Sequence, residues 1–155
     1  MAKKFNKALA RKLNTIIADG LNMMAVRLNK TIQQGIDKGV DIKGKAFEPL
    51  GPAVRSVRGS GAKILDDTGR MRGTKIIKAT EENIVAKIAM TGKKAGKFYG
   101  AMHNKGYTVK SGKFKGSTVP KRNWFGMTDS MKPGGKDNSA VIGLIKIKLR
   151  NNWKN

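Results

Sequence analysis

FNKALARKLNTIIADGLNMMAVRLNKTIQQGIDKG, residues 5–39, is the stretch whose periodicity decides the fold. Phe5, Leu9, Leu13, Ile16, Ile17, Met24, Leu28, Ile32 and Ile36 recur at the spacing of one helical face. Lys3, Lys4, Lys7, Arg11 and Lys12 fill much of the other face. One long amphipathic helix follows, ending near Lys38, where Gly35 and Gly39 mark the stop. Gly20 interrupts the pattern at a cost of about 1 kcal/mol against alanine, which predicts a kink or close packing there. A helix of about 35 residues spans about 50 Å at 1.5 Å per residue. That is longer than a domain of 155 residues is wide. Part of it must project or pack on a neighbouring subunit. Leu9, Leu13, Ile17, Met24 and Leu28 are the candidate residues for that contact.

Outward from the helix, residues 39–62 are punctuated by Gly and Pro and read as a loop-rich connection. Phe47, Leu50 and Val54 are expected to tuck back onto the core. Asp66-Asp67-Thr68-Gly69 is a turn signal, followed by a short helical turn from Thr68 to Arg72. Lys75 to Ala79 and Ile84 to Met90 read as the strands of a β-hairpin about Glu81-Glu82-Asn83. Phe98 to Asn104 reads as a short helix stopped by Gly106. Residues 107–119 are polar, basic and Gly/Ser-rich, a mobile loop or ribbon, and residues 129–136 are a second flexible piece. Ser139 to Asn151 reads as a helix capped by Asp137 or Ser139, with a terminal strand as the alternative because residues 145–149 alternate. The fold class is therefore α+β. A long N-terminal amphipathic helix packs on a small antiparallel sheet, with a short helix and a C-terminal helix. The chain reads as a single domain, 1–155: helix 1–38, an α+β core 39–128 holding the basic loop, and a C-terminal element 129–155.

Charge narrows the partners. Thirty-three Lys and Arg face ten acids, a formal net charge of +23. Self-repulsion at that level favours an acidic partner: nucleic acid, an anionic membrane or an acidic protein surface. No acid occurs between Glu82 and Asp129, while lysines and the aromatics Tyr99, Tyr107, Phe114, Trp124 and Phe125 interleave there. That is a fair pattern for a nucleic-acid groove, although burial as anchors is the commoner fate of Trp124 and Phe125. Lys110, Lys113 and Lys115 are the candidate partner-facing charges.

Catalytic chemistry finds little support. There is no cysteine, which excludes disulfides, thiolate zinc sites and cysteine nucleophiles. His103 is the single histidine, with no second ligand and no orienting acid near it in sequence. Asp66 and Asp67 suit a turn better than a metal site. Gly59-Ser60-Gly61-Ala62-Lys63 lacks the spacing of a phosphate loop. We expect no enzyme activity, metal or cofactor. No apolar run is long enough for a membrane span, and no membrane partner is expected.

The order of segments carries a resemblance. After the long helix come Phe47-Glu48-Pro49-Leu50 and Arg55, then Leu65-Asp66-Asp67-Thr68-Gly69-Arg70-Met71-Arg72. The hairpin follows, then Tyr99-Gly100-Ala101-Met102-His103-Asn104-Lys105-Gly106, then Val119-Pro120-Lys121-Arg122-Asn123-Trp124-Phe125-Gly126. Over about residues 45–127 this resembles the phage virion morphogenesis family, or tail completion proteins, of Mu-like and P2-like tailed phages. Asp67, Thr68, Gly69, Arg70, His103, Gly106, Pro120, Arg122 and Phe125 fall on the family's motif. The chain departs from it in Asn104, where the family has Gln, in its strong basicity and in the length of 107–119. The resemblance implies a structural component of the head–tail junction, a neck or tail completion protein in the virion, assembled in the host cytoplasm. It implies a sixfold or twelvefold homo-oligomeric ring between the portal or adaptor and the tail tube or terminator. The ring would use the helix stripe and the hairpin edge. The Lys110–Lys121 loop would then meet channel DNA or an acidic ring. Because a basic lumen would slow DNA transit, acidic protein surfaces are the expected partners for most of that charge. A basic nucleic-acid-binding protein is the alternative reading.

Overall fold

A computed structural model describes residues 2–59, 64–65, 72–91, 93–94 and 97–153. Helix α1 (Ala2–Lys38) is followed by α2 (Pro52–Arg58), β1 (Thr74–Ile77), β2 (Lys87–Met90), β3 (Lys93–Lys94) and β4 (Lys97–Phe98). Helix α3 (Tyr99–Lys105), β5 (Tyr107–Thr108), β6 (Thr118–Val119), a 3-10 turn (Asp129–Met131) and α4 (Lys136–Trp153) complete the chain. The described strands form three two-stranded sheets, β1 with β2, β3 with β4 and β5 with β6. The fold is α+β, with the long N-terminal helix, small antiparallel sheets, a short helix and a C-terminal helix that the sequence leads one to expect. Helix α1 ends as its glycines predict. Gly39 adopts φ 68°, and the N–H groups of Gly39 and Val40 donate to the carbonyls of Ile36 and Gly35. That pair of bonds satisfies two carbonyls the helix end would otherwise leave open.

The described residues fall into two compact units. The first takes them from 1–29, 76–89 and 127–155. Its core holds Ile16, Ala18, Ala25, Ala79, Met131 and Val141. Here α1 is gripped on two sides. On one side α4 runs antiparallel to it, since Arg27 meets Asp137 at 3.8 Å and Asp19 meets Lys148 at 3.1 Å. Gly20 lies between these contacts. A Cβ there would sit 2.4 Å from Ile145 Cδ1 and 3.3 Å from Val141 Cγ1. Gly20 is thus a site of close helix packing, the second of the two outcomes its position predicts, and α1 continues through it. On the other side polar residues of α1 hold the segment after β1. Asn22 donates to the Ala79 carbonyl and accepts from the Ala79 N–H, at 3.1 and 2.8 Å. Asn14 donates to the Glu81 carbonyl at 3.0 Å. Because a helix side chain takes both polar groups of Ala79, β1 stops at Ile77, short of the expected strand end.

Three further expectations for this unit change. Helix α4 starts at Lys136, so Asp137 and Ser139 lie inside it and cap nothing; Ser139 N–H donates to the Gly135 carbonyl instead. The terminal strand alternative is not adopted, because Val141 and Ile145 meet Gly20 at helical spacing. Residues 129–136, expected to be flexible, hold the 3-10 turn Asp129–Met131 and a tight turn that leads into α4 at Lys136. Met131 is buried there, and Gly135 sits so close that a Cβ would lie 2.4 Å from the carbonyl oxygens of Asp129 and Ser130.

The second unit takes its described residues from 30–75 and 90–126. Ile32, Ile36, Phe47, Leu65 and Trp124 are its buried apolar side chains. Phe47 is buried and Leu50 half-buried, as expected, while the Val54 side chain lies outside the described residues. The connection after α1 is more regular than its Gly and Pro content suggests. Pro52 opens helix α2, where its missing N–H costs nothing, and Gly59 closes it at φ 83°. Gln33 donates to the Arg72 carbonyl, and Arg72 pairs with Asp37. The segment 107–119 takes the ribbon form. Tyr107 pairs with Val119 and Thr108 with Thr118. The ladder continues past β5, with Val109 N–H donating to Ser117 and Gly116 N–H to Val109. Turn bonds from Lys115 to Gly112 and from Ser117 to Phe114 close the tip, so it is ordered by its own backbone.

Candidate assembly interface

The described family-motif residues meet in the second unit. Trp124 is 2% exposed, and its indole N–H donates to the Gly100 carbonyl at 3.0 Å. A Cβ on Gly100 would lie 2.5 Å from the Trp124 ring, so only glycine lets α3 approach it. Asn104 clamps Phe125 by both backbone groups, donating to its carbonyl at 3.1 Å and accepting from its N–H at 3.2 Å. The Arg122 N–H donates to the His103 carbonyl at 2.9 Å. The His103 ring meets Tyr107 edge to face, centroids 5.5 Å apart. Gly106 adopts φ 74° and lies against the strand after β6. A Cβ there would be 2.9 Å from Lys121 N and 3.1 Å from Val119 O. Pro120 is half-buried and follows directly on β6. His103, Gly106, Pro120, Arg122 and Phe125 thus form a clip that fastens α3 to the chain after the ribbon.

Arg122 is the unusual member. It is 3% exposed, and one terminal N–H donates to the Glu48 carbonyl at 3.2 Å. Its Nε has no hydrogen-bond partner. Burial pulls its pKa below the ordinary value, opposed by the charge of Glu48 and by Tyr107. A buried guanidinium with one donor unmet contributes little net stability but leaves few alternatives for its neighbours. Asp67, Thr68, Gly69 and Arg70 lie outside the described residues.

The expected interface residues are distributed unevenly. Leu9 and Leu13 are exposed, while Ile17, Met24 and Leu28 are half-buried. Leu9 and Leu13 share the helix face of Ile16 and Gly20 at spacings of four, three and four, so they extend the stripe that meets α4 toward the start of α1. Lys110, Lys113 and Lys115 are all exposed on the ribbon. Sequence reasoning missed a further set. Met23 and Val26 stand exposed on α1, the latter at 53%. On α4, Leu144 and Ile147 stand on one flank of the buried Val141 face and Ile142 on the other, with Ile147 at 55% exposure. Their signal was present as apolar residues spread wider than one helix face.

Among the described residues, no cluster of three His, Cys, Asp or Glu side chains could hold a metal ion. No described helix is long and apolar enough to cross a membrane.

The described motif residues of the second unit serve internal fastening, and exposed apolar side chains stand on the first unit. The profile of the phage virion morphogenesis family matches residues 2–141. The chain therefore belongs to the phage virion morphogenesis family, as the motif order indicates. No curated protein and no solved structure matches it.

Proposed function

We propose that the chain is a non-enzymatic structural subunit of the tailed-phage head–tail junction, and that it assembles with copies of itself as a ring. The ring joins the portal or adaptor to the tail, with sixfold or twelvefold symmetry, after assembly in the host cytoplasm. The observation that carries this reading is the exposed apolar surface of the first unit. Val26 on α1 and Ile147 on α4 are each more than half exposed, and Leu9, Leu13, Ile142 and Leu144 add to them. A closed ring needs two different faces on every subunit, and α4 with its two apolar flanks and α1 with its extended stripe offer them. Among the described strands, the pair β1–β2 has no further neighbour, so it adds an edge for pairing.

Association of copies that each carry +23 must overcome mutual repulsion. Added salt screens that repulsion, so the ring strengthens with ionic strength. The test is native mass spectrometry of the purified chain in 0.1 and 0.5 M ammonium acetate, comparing wild type with a Val26→Glu, Ile147→Glu double variant. A closed oligomer that gains population with salt and is lost in the variant supports the reading. A monomer at both salts, or an oligomer indifferent to the two substitutions, sinks it.

A further inference from the structure

We propose that the ribbon 107–119, with Lys105 and Lys121 at its base, is a sequence-independent contact for the phosphate backbone of double-stranded DNA. Accessibility alternates along the ribbon. Tyr107, Val109, Ser117 and Val119 are half-buried, while Thr108, Lys110 and Thr118 are exposed. One face therefore carries hydroxyl and amine groups, and Lys113 and Lys115 continue it over the tip. Gly106 brings Lys105 and Lys121 to the ribbon's base, since its backbone lies against Lys121. Both lysines are exposed. No acid occurs from Asn83 to Thr128 in the sequence that carries these five amines.

Sequence alone leaned toward an acidic protein partner for this loop. The composition of the exposed face argues for phosphates. Protein interfaces are enriched in Arg and aromatic anchors and depleted in Lys. Here all five exposed cations are Lys, and the only Arg of the segment, Arg122, is buried. Among the described residues of 100–126, no large apolar side chain is exposed to serve as an anchor. Lys and Thr are phosphate-contacting residues, which position a duplex without reading it. No exposed Arg, Asn or Gln stands on the ribbon to form a bidentate contact with a base edge. The local turn bonds order the tip in advance, so little entropy remains to be lost on binding. This inference does not rest on the ring: a monomer would bind DNA by the same face.

The probe is a 30-base-pair duplex of arbitrary sequence, titrated with the full chain between 0.05 and 0.2 M salt and followed by fluorescence anisotropy. Two triple variants of equal net charge are compared. One is Lys110→Gln, Lys113→Gln, Lys115→Gln. The other is Lys12→Gln, Lys78→Gln, Lys146→Gln, all exposed positions outside the ribbon. Removing one lysine–phosphate pair lowers the log–log salt slope by about 0.9, so the ribbon variant should have a slope shallower by about 2.7 and bind roughly 100-fold more weakly at 0.1 M salt. The second triple should change far less, and scrambling the duplex should change nothing. Equal weakening in the two variants would assign binding to diffuse charge and overturn the proposal. So would undetectable DNA binding, or a ribbon variant impaired only toward poly-glutamate, which would point to an acidic protein face. Circular dichroism melting of both variants separates weaker binding from unfolding.

Discussion

The first unit leaves large apolar side chains in solvent from every segment that builds it, on α1, on the β1–β2 strands and their link, and on α4. In the second unit Val57 is the sole large apolar side chain that stands exposed among the described residues, and the surface of its ribbon is amine and hydroxyl. Their interiors differ as well. The first unit is held by helix side chains reaching sideways: Gly20 against Ile145, Asn22 on Ala79, Asp19 with Lys148. The second is held by backbone turns gathered around Trp124 and the His103–Arg122 clip. The lesson is a separation of labour. Apolar surface that costs free energy in water is concentrated in the first unit. Lys110, Lys113 and Lys115 stand exposed on a ribbon that its own backbone bonds order, in a segment without an acid.

The largest effect expected from testing that contrast is at Trp124. Trp124→Ala removes a side chain packed on Gly100 and strands the Gly100 carbonyl, at about 4 kcal/mol. Hydrogen exchange should lose protection mainly at residues 100–126. Loss spread evenly over both units would break the distinction between them. A smaller effect is expected in the first unit. Gly20→Leu drives a side chain into Ile145 and Val141, which forces α4 away from α1 at about 2–3 kcal/mol. Exchange should then quicken along α4 and leave the Trp124 region protected. An unchanged melting temperature would mean the two helices repack freely there.

The long helix was legible because its period is sustained over nine apolar positions, and its end because Gly39 is the residue that tolerates φ 68°. What periodicity could not assign is which turns of a stripe are covered. Ile16, Ile32 and Ile36 are buried, while Leu9 and Leu13 on related positions stand exposed. That depends on where α4 lies along α1, a tertiary fact. The start of α4 was not legible for a similar reason. Asp137 has the chemistry of a cap, but here it pairs with Arg27, and the helix begins on the tight Gly135 turn. The clip was legible only as a sequence pattern. His103 and Arg122 are nineteen positions apart, and nothing local says that the backbone of one accepts from the other. Arg122 reads as part of a basic segment, yet burial removes it from the charged surface and leaves that surface to lysine.

The smallest change in stability should accompany the sharpest test of the contrast. Asn22→Ala strands the N–H and C=O of Ala79, at about 1–2 kcal/mol, without touching any exposed apolar side chain. If the first unit assembles through its surface, a shift at Ala79 reaches the ring by displacing the end of β1 and the β1–β2 link, which carry Ile77 and Val85. The ring should therefore weaken in proportion to the lost stability, whereas DNA affinity through the ribbon should not change. Measuring oligomer population and duplex affinity on the same Asn22→Ala sample separates the two readouts. A fall in DNA affinity equal to the fall in assembly would mean that DNA is bound only by the assembled form, so that avidity rather than a single ribbon supplies the grip. An intact affinity beside a weakened ring would leave the five lysines of one ribbon sufficient by themselves.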